Sequence, residues 1–108
     1  MIVRRDIFQA ISDPTRRKII FLLASAALTP NALAEYFNSS RQAISKHIQI
    51  LQECNVVSAE QKGREIYYQI KPESFKEIEN WLNEFKSIMD NRFKQLDEVL
   101  ENLKKLKK

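Results

Sequence analysis

The sequence predicts a mainly α fold with one small β-hairpin and a long C-terminal helix, and three observations carry that expectation. A single glycine, Gly63, and three prolines in 108 residues leave few helix breakers. Apolar residues recur at three- and four-residue steps through most of the chain. That period gives way to alternation only in Glu65 to Ile70, where Ile66, Tyr68 and Ile70 share one side.

The opening segment, Ile2 to Ile11, places Val3, Ile7, Phe8 and Ile11 on a roughly helical face. Ser12-Asp13-Pro14 ends it. Asp13 caps the next helix by accepting a backbone N–H, and Pro14 takes the first helical position, where its missing N–H does no harm. From there Ile19, Ile20, Leu22 and Leu23 line a buried face to about Ala24, with Arg16, Arg17 and Lys18 in the first turns. Thr29-Pro30 repeats the start signal for a short third helix, Asn31 to Phe37, which offers Leu33, Ala34 and Phe37 to the core. Asn38-Ser39-Ser40 reads as a turn in which Asn38 tolerates a left-handed backbone better than most residues. Ser40 then caps a fourth helix, Arg41 to about Glu53.

Asn55 to Ile70 changes character. Val56-Val57 leads into a strand, Lys62-Gly63-Arg64 turns the chain, and Glu65 to Ile70 returns as the second strand. Gly63 sits where a tight turn needs positive φ. Pro72 opens a final helix that runs close to the C-terminus. Two regions follow, residues 1–71 as one compact domain and residues 72–108 as a long helix continuous with it.

The chain carries a formal charge of +4, with 44% hydrophobic and 30% charged residues, the balance of a folded protein suited to an anionic partner. Neither a secretory leader nor an apolar run long enough to span a bilayer is visible. The one cysteine, Cys54, cannot form an internal disulfide, which fits a cytoplasmic location. With one histidine, one cysteine and no glycine-rich phosphate loop, no enzyme and no cofactor is expected.

The third helix, the turn and the fourth helix form a helix-turn-helix unit. In the fourth helix Ile44, Ile48 and Leu51 fall at i, i+4 and i+7 and so face the core. The opposite face carries Arg41, Gln42, Ser45, Lys46 and Gln49, with no acidic residue before Glu53. Arginine pairs with guanine edges and glutamine with adenine edges in the major groove, and Ser45 and Lys46 suit bases or phosphates. Taken alone, such a face also fits a solvated amphipathic helix; the basic hairpin turn beside it favours DNA. Lys62 and Arg64 read as the tip of a wing that lies along the phosphate backbone or enters the minor groove, or else as solvated turn residues.

Three motifs also resemble the ArsR/SmtB-type transcriptional regulators: Asp6 to Arg17 their opening, Ser40 to Leu51 their recognition helix, and Gly63 to Ile70 their wing. The likeness covers roughly residues 4 to 72. It implies a winged helix-turn-helix homodimer that binds a palindromic operator, usually as a repressor. It further implies that Arg41, Gln42, Ser45, Lys46 and His47 approach DNA; Ser40 at the start of that helix joins them as a candidate contact. His47 is either a phosphate contact at the groove edge or a half-buried residue bonded to a neighbour. Many such regulators bind a metal through a cysteine in the third helix or through aspartate and histidine in the last helix. Neither set is present here, so the resemblance points to a metal-independent branch. Cys54 reads as a packing residue.

In the last segment Phe75, Ile78, Leu82, Phe85, Met89, Leu96, Val99, Leu103 and Leu106 follow alternating three- and four-residue steps, with Arg92 in the one polar slot. A repeat of that length signals a coiled-coil-like seam, and self-association buries it. Trp81 and Ile88 flank the seam and widen it. The expected partners are therefore double-stranded DNA and a second copy of the chain, with no membrane; an effector, if there is one, is not legible. The competing reading is a helical adapter that reuses the same scaffold to hold a protein partner.

Overall fold

The computed structural model describes residues 5–106. Its elements run α1 (Ile7–Ala10), α2 (Pro14–Ser25), α3 (Pro30–Ala34), α4 (Arg41–Glu53), β1 (Val57–Lys62), β2 (Glu65–Ile70), a 3-10 turn (Pro72–Phe75) and α5 (Lys76–Leu106). Four helices, a hairpin and a long helix is the order expected from the sequence. The chain divides into two compact units, one ending at Lys76 and one beginning at Glu77.

In the first unit, helices start where a short polar side chain can satisfy an orphan backbone donor. Asp6 accepts from the Gln9 amide at 3.0 Å, Asp13 from Arg16 at 3.1 Å, Thr29 from Ala32 at 3.1 Å and Ser40 from Ala43 at 3.2 Å. Ile7, Ala10, Ile19, Leu23, Leu33, Ile44, Ile48, Leu51, Val56 and Val57 form the core. Ile20 and Leu22 are half-buried at its margin.

Two helices are shorter than expected. The first begins at Ile7, because Asp6 caps it; Ile7 and Ala10 are buried, Phe8 and Ile11 are half-buried, and Val3 lies outside the described residues. The third ends at Ala34, three residues before Phe37. There the amides of Tyr36 and Phe37 bond back three residues, to Leu33 and Ala34, which tightens the chain into turns. Lys18 on α2 holds that turn: its ammonium donates to the Tyr36 carbonyl at 2.9 Å and lies 4.7 Å from the centre of the Phe37 ring.

The expectation for Asn38 is corrected. Among the described residues other than glycine, Asn55 alone has positive φ, at 62°. It follows the α4 cap, where the Asn55 amide bonds to the Gln52 carbonyl and the Val56 amide to that of Leu51, a six-to-one closure that demands a left-handed residue at this place. Leu51 and Val56, at its two ends, are both fully buried, so the closure also packs.

β1 and β2 pair antiparallel from Val57↔Ile70 to Lys62↔Glu65, leaving Gly63 and Arg64 as a two-residue loop. Gly63 alone takes positive φ, 65°, the pattern of a type II′ turn. Leu28 adds a third, short arm: it exchanges both backbone hydrogen bonds with Tyr68, at 3.0 and 2.8 Å. Of the alternating residues, Tyr68 and Ile70 are half-buried, whereas Ile66, close to the loop, is exposed.

Pro72 opens a 3-10 turn rather than the final helix itself, a correction that moves Phe75 off the α-helical series. The Ser74 amide and hydroxyl both donate to the Lys71 carbonyl, at 3.0 and 2.6 Å, closing the tighter turn. α5 is one helix of 31 residues, about 46 Å at 1.5 Å per residue. Along it Trp81, Leu82, Phe85, Ile88, Phe93, Leu96, Val99, Leu100, Leu103 and Leu106 are exposed, while Ile78 and Met89 are half-buried. Leu100 joins the apolar face although the expected series passes over it. No helix among the described residues is long and apolar enough to cross a membrane.

Asp13 yields a prediction. Burial pushes its carboxyl up, but the Arg16 amide, the electrostatics of His47 and Arg16, and the Thr15 amide outweigh that and hold it below its ordinary value. A depressed folded value means the cap contributes fully above the unfolded value near 3.8 and fades as pH falls through the folded one. Asp13→Ala is expected to cost about 1 kcal/mol of stability at pH 7. Asp13→Asn should keep most of the cap while removing its acid-dependent part, as urea melts at pH 7 and near pH 3 would read.

Candidate nucleic-acid interface

The polar side of α4 is presented by its apolar side. Ile44, Ile48 and Leu51 are 0%, 1% and 0% exposed, so a helix anchored on them turns Gln42, Lys46 and Gln49 outward, whereas Arg41, three residues before Ile44, lies on the same stripe and is exposed at the helix's first position. These four polar residues are all exposed, and Ser45 and His47 are half-buried on the flanks. No hydrogen bond or ion pair among the described residues holds Arg41, Lys46 or Arg64. Ser40 does two things: its hydroxyl oxygen accepts the Ala43 amide, and its hydroxyl hydrogen remains available to donate.

A cleft of about 270 Å³ joins α4 to the hairpin. Arg41, Ser45, Arg64, Glu65 and Tyr68 line it, together with Asn31 at the start of α3. The structure thus brings two α4 candidates and one wing candidate to one concavity, whereas Gln42, Lys46 and Gln49 lie outside its lining. Asn31 was not singled out from sequence; its signal was its place directly after Thr29-Pro30, on the first turn of the first helix of the helix-turn-helix.

The wing tip is less uniformly basic than its sequence suggests. Lys62 lies 5.6 Å from the centre of the Tyr67 ring, and Tyr67 donates its hydroxyl to Glu65 at 3.2 Å. That hydrogen bond and the Glu65 charge, with some burial, push the Tyr67 hydroxyl above its ordinary value. Glu65 therefore adds a negative charge beside the turn, next to Arg64 in sequence and paired across the strands with Lys62.

The remaining cations near α1 are committed to the fold. Arg16 is 7% exposed. Its guanidinium donates to the carbonyls of Ala10 at 3.0 Å and Gln9 at 3.1 Å and to the Ser12 hydroxyl at 3.3 Å. Arg17 donates to the Ile11 carbonyl at 2.7 Å. The carbonyls at the end of this four-residue helix lack helical partners: Arg16 supplies Ala10, Arg17 supplies Ile11, and Gln9 also receives the Ser12 amide and hydroxyl. His47 faces the same cluster, with Nδ1 3.4 Å from Arg16 Nη1 and 3.9 Å from Asp13 Oδ2.

Cys54 is 5% exposed, and burial pushes its thiol up against the opposing pull of Arg5 and Arg16. A protonated, enclosed thiol is a poor nucleophile. Among the described residues no three His, Cys, Asp or Glu side chains gather as a metal site.

Comparison with known proteins points the same way. Residues 13–59 match the family described as bacterial regulatory protein, arsR family. The chain is 42% identical over 86 residues to the transcriptional repressor SdpR of Bacillus subtilis, covering 80% of this chain and 96% of that one. It is 31% identical over 85 residues to the arsenic resistance transcriptional regulator ArsR2 of Pseudomonas putida, covering 78% and 70%. Among solved structures, an ArsR-like transcriptional regulator from Rhodococcus sp. RHA1 superposes with a TM-score of 0.73 at 32% identity, covering 89% of this chain and 88% of that one.

Proposed function

Because the chain belongs to the ArsR family of bacterial regulatory proteins, and is accordingly a DNA-binding transcriptional regulator rather than an enzyme, we propose that it works as a cytoplasmic homodimeric repressor reading a palindromic operator. Two copies of α4 enter successive major grooves about one turn, 34 Å, apart. Arg41 and Gln42 read base edges, with Ser45 and Gln49 beside them. Ser40, Lys46, His47, Lys62 and Arg64 engage the backbone. The observation that carries this reading is the two-sided α4: a sealed apolar side and an exposed polar side with no acid before Glu53.

The dimer is supported by α5. Residues such as Trp81, Phe85 and Leu96 are each about half exposed, and the Trp81 and Phe85 rings stack at 5.9 Å. A continuous apolar face of this length favours a second helix over water. Ile78, Leu82, Ile88 and Met89 extend the seam, and Phe75 adds apolar surface from the turn before it. Metal-triggered release through the third or the last helix is not part of this reading, because neither segment carries a cysteine or a histidine.

Selection from a random DNA pool, with the mass of the free and bound protein measured alongside, tests the proposal. A two-fold symmetric sequence bound by two chains is expected, with affinity that falls as salt rises. Enrichment of no palindrome sinks the operator reading and favours the protein adapter. A Phe85→Glu/Leu96→Glu variant places like charges in the seam and is expected to be monomeric. It should bind the selected duplex at least about a hundredfold more weakly, since joining two half-sites in one molecule multiplies affinity by about 10² to 10⁴.

A further inference from the structure

We propose that Arg16 is a positioning residue for the DNA-reading helix: it holds His47 in the tautomer that carries its proton on Nε2, so that this nitrogen donates to a DNA phosphate. The inference rests on the DNA-binding reading and assigns Arg16 a role in it. Its ground is the geometry around the ring. A guanidinium can only donate, so the 3.4 Å approach of Arg16 Nη1 to His47 Nδ1 is a hydrogen bond only when Nδ1 offers a lone pair. Asp13 Oδ2 lies 3.9 Å from the same nitrogen, too far to accept a proton from it. Nδ1 is thereby the acceptor, and in a neutral ring the hydrogen sits on Nε2.

Arg16 is itself fixed. Three further hydrogen bonds anchor its guanidinium to Gln9, Ala10 and Ser12, and it is 7% exposed, so it offers His47 a rigid donor. On the other side of the ring, no protein group among the described residues accepts from Nε2, while the His47 side chain keeps 26% of its surface. It sits one residue after Lys46 on α4 and flanks the face that carries Arg41 and Gln42. A donor without a protein partner, on a half-buried ring at the edge of that face, suits a phosphate oxygen at the groove edge. The two roles open to His47 from sequence, phosphate contact and bonded helix residue, then belong to opposite nitrogens of one ring.

The chain has one histidine, so long-range proton–nitrogen spectra of its imidazole need no assignment. In the free protein, recorded where the spectrum itself shows a neutral ring, Nδ1 is expected to be pyridine-type and Nε2 pyrrole-type. This arm needs no DNA, so it judges the tautomer even if the DNA reading fails. For binding, the probe is the duplex that the wild-type protein selects. His47→Gln keeps an amide donor near the Nε2 position and should bind within about threefold of wild type. His47→Asn keeps only an Nδ1-like group and should bind about ten- to a hundredfold more weakly, the value of a hydrogen bond to a charged group. Arg16→Lys has no planar fork to span its four partners. It should weaken binding when His47 is present and change little in the His47→Gln background, a coupling that a general loss of fold would not produce. A protonated Nδ1 in the free protein, or equal binding by the Gln and Asn variants, overturns the proposal; should Arg16→Lys fail to fold, those two readings still decide. Failure of the wild-type protein to select any duplex counts against the DNA reading instead.

Discussion

Alanine at both Arg41 and Gln42 is expected to collapse the protein's preference for its operator while leaving it able to bind DNA weakly. Each bidentate pairing to a base edge discriminates by about 1–3 kcal/mol, so losing two from each subunit removes a factor of a hundred or more between the selected duplex and a scrambled one. Lys46, Lys62 and Arg64 are expected to keep their phosphate contacts in the variant, and such contacts carry no sequence information. The ratio of the two affinities at one fixed salt concentration is the measurement, because absolute affinities move steeply with salt. Both side chains are exposed, so thermal stability should stay within about 0.5 kcal/mol of wild type. A footprint that survives the double substitution would remove α4 from the role of reader.

The second large effect lies on the other side of the same helix. Ile48→Ala empties space at a residue 1% exposed and is expected to cost about 2–5 kcal/mol. Against a total stability of about 5–15 kcal/mol that loss is severe, and it should lower the urea midpoint without changing the slope. Two positions away, Lys46→Ala should barely move the midpoint, since Lys46 is exposed and makes no contact that the fold uses. Similar costs at 46 and 48 would mean that α4 is not seated by the stripe that includes Ile44 and Leu51.

The two effects divide along a boundary that the sequence already draws. The i, i+4, i+7 spacing of Ile44, Ile48 and Leu51 is set by helix geometry, and any fold that buries those three turns Gln42, Lys46 and Gln49 away from the core; Arg41 shares their stripe and is exposed at the start of the helix. The same logic made three caps legible, Asp13, Thr29 and Ser40, each a side-chain oxygen reaching an amide three residues on, but it passed over Asp6, which starts α1 five residues later than expected. It failed where a helix end depends on a distant group. α3 stops short because its following turn binds Lys18, 18 residues away, and the left-handed residue is Asn55 because buried Leu51 and Val56 close the end of α4 around it.

Composition misled in one respect. A formal charge of +4 counts Arg16, Arg17 and Lys18 with the cations available to DNA, yet each donates to a backbone carbonyl of a short helix or of the turn after it. Their charges persist but their donors are engaged within the fold, so in the proposed complex the cations expected to bond phosphates are Lys46, Lys62 and Arg64, with Arg41 at the bases. Asn31 escaped notice for the opposite reason: it is uncharged, and only the approach of α3 to α4 and β2 brings it to the cleft that Arg41 and Arg64 line.

The amino-acid order by itself determined that four helices, a hairpin and a long helix follow one another, where α2, α3 and α4 begin, where the hairpin turns at Gly63, and which side of α4 faces the core. These follow from interactions spanning four residues or fewer, whose geometry is the same in any fold. Tertiary structure alone decided that Arg16 meets His47 across 31 positions, that Leu28 extends the hairpin through Tyr68, and that α4 and the wing share a cleft. Such contacts depend on how separate elements pack, and periodicity within one element carries no information about the element that will lie against it.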